Sequence, residues 1–160
     1  MTADYKTELQ KNGVLAFVPG GNSMWPTLKN RRQSVIVLPK TQKLKRFDVA
    51  LYQRENGMYV LHRVIEPTEF GYIMCGDSQF ILEKVNEDMV FGVMTSFYRG
   101  KKSIEVTDDK YIKEVQRLYG NEKRRKRKVK LFFLKQRIRD KIIRILRRIK
   151  NGFNGTCKEK

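Results

Sequence analysis

Between residues 48 and 65 the chain places two apolar runs around one tight turn. Asp48-Val49-Ala50-Leu51-Tyr52-Gln53 and Met58-Tyr59-Val60-Leu61-His62-Arg63-Val64-Ile65 flank Glu55-Asn56-Gly57. Asn-Gly accepts the positive φ of a hairpin turn, and β-branched and aromatic side chains suit a pleated surface. This stretch is therefore committed to antiparallel pairing. Further short runs at 14–18, 34–38, 72–75, 89–98 and 103–106 are divided by Gly, Pro and polar turns, with Gly92 a candidate bulge in the longest. No helical pattern alternates with them, which excludes an α/β architecture. The fold class expected is mainly β: an antiparallel β domain followed by C-terminal α-helices.

The flanks of that domain differ in character. Residues 1–12 read as a helical lead-in stopped by Gly13, and 13–107 as the β domain. In 108–121, Tyr111, Ile112, Val115, Leu118 and Tyr119 recur at helical spacing between an Asp cap and Gly120. Residues 122–150 hold fifteen Lys and Arg against Glu122 and Asp140, so most of the net charge of +18 lies there. Within that segment Leu131, Leu134, Ile138, Ile142, Ile145 and Ile149 share one helical face. Residues 151–160, with two glycines, read as a frayed tail.

Composition narrows the chemistry. The chain has one histidine and two isolated cysteines, Cys75 and Cys157, so no metal-ligand spacing exists and no cofactor is expected. Unpaired thiols fit a reducing compartment. The N-terminal residues lack the apolar core of a signal peptide, and no run reaches the roughly 18 apolar residues of a membrane span. The expected location is the cytoplasm, peripheral to a membrane. The partner expected for 122–150 is an anionic membrane surface. A helix packed on the β domain is the second reading, and nucleic acid the third.

Ser23 lies in Pro19-Gly20-Gly21-Asn22-Ser23-Met24-Trp25-Pro26, a dense turn signal between two strands. A hydroxyl at a loop tip is inert without a neighbouring base. The sole imidazole, His62, stands on a strand that the topology can return toward it.

Gly21-x-Ser23-Met24-x-Pro26-Thr27-Leu28, Phe47-Asp48-Val49-Ala50, His62-Arg63-Val64, Gly76-Asp77-Ser78 and Phe91-Gly92-Val93 occur in the order and approximate spacing of signal peptidase I. Residues 13–102 thus resemble the S24/S26 serine peptidases, in the branch that carries His where bacterial enzymes carry Lys. The resemblance implies Ser23 as nucleophile and His62 as general base. It implies an acid behind His62, with Asp77 ranked above Glu83, and oxyanion or substrate contacts at Gly21, Asn22, Met24 and Pro26. The expected activity is removal of a leader or signal segment from a peptide or protein substrate through an acyl-enzyme. The competing readings are a LexA-like self-cleaving regulator and a non-catalytic binding module.

Overall fold

The computed structural model describes residues 4–155, with side chains to residue 149. In chain order the elements are α1 (Tyr5–Asn12), β1 (Leu15–Phe17), β2 (Val35–Pro39), β3 (Val49–Gln53), β4 (Tyr59–Pro67), β5 (Gly71–Cys75), β6 (Glu83–Asn86), β7 (Val90–Arg99), β8 (Lys102–Glu105), α2 (Asp109–Tyr119) and α3 (Glu122–Gly155). A short 3₁₀ turn, Glu87–Met89, leads into β7. The strands form one antiparallel sheet in the order β1-β2-β7-β3-β4-β5-β6, with β8 also on β7. The expected mainly β domain with C-terminal helices is what the chain adopts.

The 56–57 turn forms as anticipated: Gly57 has φ +80° and donates its N–H to Arg54 O at 2.8 Å. It sets β3 and β4 in register from Val49 opposite Arg63 to Gln53 opposite Tyr59. β4 then changes neighbour. Its residues 59–63 pair with β3, while pairing with β5 begins only at Arg63 opposite Cys75. Residues 59–62 consequently have one backbone edge to which β5 does not pair.

Each face of the sheet carries its own core. One gathers Leu9, Met24, Leu28, Val37, Leu51 and Phe97, with Tyr111 and Val115 of α2. The other gathers Leu44, Ala50, Tyr52, Val64, Tyr72 and Met74. Along β3 and β4 alternate residues therefore belong to different environments, as strand periodicity requires. Register between β3 and β7 shifts beside Gly92, where the bulge was expected.

Other boundaries depart from the sequence reading. β6 was not anticipated: Glu83-Lys84-Val85-Asn86 buries only Val85, so an edge strand leaves almost no apolar signature. α2 ends at Gly120 as expected; the glycine has right-handed geometry and its N–H meets Gln116 O at 2.7 Å.

The second compact unit, from Asn121 onward, contains α3. Asn121 Oδ1 accepts from Arg124 N–H at 2.8 Å, and Glu122 pairs with Lys126 one turn on at 2.6 Å. The helix runs to Gly155 rather than ending at 150; the expected frayed tail is helical over 151–155, and 156–160 lie outside the described residues. Extending an established helix costs far less than starting one, which lets it pass Gly152. Among the described residues no helix is long and apolar enough to cross a membrane.

Gly71 shows how tightly β6 is held. A Cβ there would lie 2.2 Å from Val85 O, on backbone that cannot yield without parting the strands. Gly71→Ala is expected to destabilise the protein by about 2 kcal/mol or more through overpacking. Gly20→Ala, with nothing within 4 Å of its Cβ, is expected to stay within about 0.5 kcal/mol of wild type. Urea midpoints at constant m-value compare them directly.

Candidate active site

The Ser23 loop is fixed from within and from behind. Gly21 adopts φ +85° and donates its N–H to Asn30 Oδ1 at 2.9 Å. A helical turn follows, with Trp25 N–H on Asn22 O at 3.0 Å and Leu28 N–H on Met24 O at 2.8 Å. The Trp25–Pro26 peptide is cis. Buried Met24 and Leu28 anchor this turn in the first core, and Ser23 is left half-buried.

Behind the loop stands the Gly76-Asp77-Ser78 turn. Ser78 donates its N–H to Ser23 O at 2.8 Å, and its hydroxyl lies 2.8 Å from Asn22 O and 3.1 Å from Ser23 O. Gly76 permits this approach: a Cβ there would sit 2.7 Å from Ser23 O and 3.0 Å from Ser23 Cβ. The backbone carrying the hydroxyl is thereby clamped from one side.

The clamp rests on a buried ion pair. Arg63 grips Asp77 with two parallel bonds, Nε to Oδ1 and Nη2 to Oδ2, both 2.7 Å, and both side chains are fully buried. Asp77 also accepts from the Thr27 hydroxyl and from Tyr119 Oη at 2.7 Å. Arg63 Nη1 donates to Phe47 O at 2.8 Å and to Tyr111 Oη at 3.0 Å. Burial by itself would raise the Asp77 carboxyl, but the Arg63 charge and hydrogen bonds outweigh it and hold it below the ordinary value.

The geometry thus puts Glu83 rather than Asp77 beside His62 Nδ1, the reverse of the expected ranking, while the Asp77 charge still adds to the upward push on the imidazole. Adjacent strand residues point to opposite faces, so the acid held by Arg63 lies on the side away from the His62 Nδ1 contacts. His62 Nδ1 lies 3.2 Å from Tyr52 Oη and 3.8 Å from Glu83 Oε2. Tyr52 Oη is 2.7 Å from the same Glu83 oxygen, and Arg54 holds both Glu83 oxygens at 2.7 Å. The Arg54 hydrogen bonds keep Glu83 below the ordinary carboxyl value, hence ionised and acceptor-only. The one Tyr52 proton goes to Glu83, so Tyr52 Oη accepts from His62 Nδ1–H. That tautomer leaves Nε2 with its lone pair, as a general base requires.

Tyr52 was missed in the sequence. The signal was the hairpin register: Ala50 faces His62 and Tyr52 faces Val60, which makes Tyr52 the diagonal same-face neighbour of the imidazole. Burial pushes the Tyr52 hydroxyl well above its ordinary value, with Glu83 adding to the shift, so it stays protonated. Burial also lowers His62, with Glu83 opposing, and the ring is neutral at pH 7.

Ser23 and His62 line one cleft of about 400 Å³, with Tyr5, Phe17, Tyr59 and Gln79 among its walls. No hydrogen bond joins the two side chains among the described residues. Of the expected oxyanion and substrate contacts, Gly21 and Met24 line the cleft, whereas Asn22 and Pro26 do not. Asn22 instead offers its carbonyl to Ser78 and Trp25, while the Gly21 N–H is already committed to Asn30.

Two outcomes follow from these contacts. Asp77→Asn leaves Arg63 buried without its counter-charge and is expected to cost about 3–5 kcal/mol. Because the folded Asp77 lies below its ordinary value of 3.8, its contribution is complete above that pH and fades as pH falls through the depressed value. Acid titrations of wild type and variant followed by circular dichroism should differ in that window. The single histidine makes the second outcome a one-residue measurement by ¹⁵N NMR. His62 should be the Nδ1–H tautomer at pH 7 and titrate below 6.5, and Glu83→Gln, which removes the opposing charge, should lower the midpoint further. The Nε2–H tautomer in wild type would refute the relay. Compared with models of known protein families and with curated proteins, the chain matches none.

Proposed function

We propose that the protein is a serine endopeptidase of the signal peptidase I type, removing a leader or signal segment through an acyl-enzyme on Ser23. What supports this is one juxtaposition: a loop serine and the only imidazole line the same cleft, and the imidazole has its Nδ1 tied to Tyr52 and Glu83. On this reading the enzyme works at the cytoplasmic face of a membrane.

The reaction follows from the tautomer. His62 Nε2 takes the Ser23 proton as Oγ attacks the scissile carbonyl. The imidazolium so formed is stabilised by Glu83 through Tyr52, without protonating Glu83. The Ser23 N–H is the candidate donor to the tetrahedral oxyanion, since the Gly21 N–H is spent elsewhere. His62 then protonates the leaving amine, the C–N bond breaks, and water activated by Nε2 releases the acyl group. An extended substrate pairs along the β4 edge at residues 59–61, where β5 provides no partner. Phe17, Tyr5 and Tyr59 form the apolar walls beside it.

A fluorophosphonate probe should label wild type at Ser23 and fail on Ser23→Ala. His62→Ala should lower the labelling rate about 10²–10⁴-fold, the usual worth of a positioned base. Tyr52→Phe should lower it less, with urea stability reported alongside. The acid limb of the wild-type pH–rate profile should lie below 6.5, following the burial-lowered His62. Labelling that persists in Ser23→Ala would remove the assignment.

A further inference from the structure

From 131 to 149, α3 carries one continuous apolar stripe, with the exposed Phe133, Ile143 and Leu146 falling outside it. At about 100° per residue, Leu131, Leu134, Ile138, Ile142, Ile145 and Ile149 fall within one stripe, about 27 Å long. Each is 48–52 % exposed, far more than the core residues of the sheet. Basic residues border it on both sides: Lys130, Lys141 and Arg148 along one edge, Lys135 and Arg139 along the other, all exposed. Across 131–149 there are seven Lys and Arg and one acid, Asp140.

We infer that this face of α3 is a docking surface for an anionic lipid bilayer, lying in the plane of the headgroups with the stripe turned toward the acyl chains. Charge decides among occupants. A second copy would set one cationic helix beside another, with like charges at both borders of the seam, which disfavours pairing. A nucleic acid would satisfy the charges but leave the apolar stripe in water. An anionic bilayer satisfies both at once: phosphates meet the bordering cations, and the leucines and isoleucines leave water. Long Lys and Arg side chains reach outward from a shallowly immersed helix, so the borders need not be dehydrated. Too many charges interrupt the segment for it to cross the bilayer. The surface stands independently of the peptidase reading and gives the proposed membrane location a physical basis.

The test uses the full chain and unilamellar vesicles of phosphatidylcholine, with or without phosphatidylglycerol. The protein should cosediment with the anionic vesicles only. Ile138→Glu with Ile142→Glu, and separately Lys141→Glu with Arg148→Glu, should each weaken binding about tenfold or more. Because a stripe charge could unfold α3, a pair of conservative reporters is added. Ile142→Trp should show a blue-shifted emission on anionic vesicles, and Arg144→Trp, on the opposite face, should not. Equal shifts for both, equal binding to neutral vesicles, or a dimer in sedimentation that Ile142→Glu dissociates would overturn the inference. So would DNA binding that competes with vesicles and survives the stripe substitutions. Probe labelling at Ser23 is scored in the same samples, so loss of lipid binding and loss of the peptidase reading are read separately.

Discussion

The buried Arg63–Asp77 pair is the contact on which the rest of the β domain's site depends. It reaches the Ser23 loop through Thr27, the backbone of the loop before β3 through Phe47 O, and α2 through Tyr111 and Tyr119. Dehydrating two charges is expensive, and pairs of this kind are often no more stable than an apolar replacement of equal volume. What the pair supplies is a fixed geometry. Four hydrogen-bonded groups around one guanidinium and one carboxylate leave little freedom for the turn that supports Ser23.

Two acids divide the work because adjacent residues of β4 point to opposite faces. Arg63 claims Asp77 on one side, while on the other His62 reaches Glu83 by way of Tyr52. Glu83 is in turn neutralised by Arg54, which restrains how far its charge can raise the imidazole. The outcome is a ring that burial keeps neutral, with its basic nitrogen left available and its other nitrogen tied.

Much of this was legible in the sequence, and the parts that were not have a common cause. Asn56-Gly57, the glycine- and proline-rich run before Ser23 and the spacing of α2 are local signals, decided by residues within a few positions of one another. They placed the hairpin, the loop and the helix. The acid behind His62 depends on strand register and on which face each side chain takes. Asp77, in a conspicuous Gly-Asp-Ser turn, drew the assignment, whereas Glu83 opens an edge strand with a single buried residue. Tyr52 stood in the sequence only as one member of a strand, because its hydroxyl contacts join residues 52, 62 and 83. Likewise the continuation of α3 past 150 reflects cooperativity along a long helix, which a residue-by-residue reading undervalues.

The reach of the Asp77 network also bears on the order of synthesis. Its members extend from Thr27 to Tyr119, the last residue of α2. Ser23 and His62 precede Tyr119 in the chain, so the clamp behind the serine lacks its final ligand until α2 has been made. The support behind the serine is thus completed by the last residue of the helix that follows the β domain, and its full set of bonds belongs to the finished fold rather than to the hairpin and loop alone.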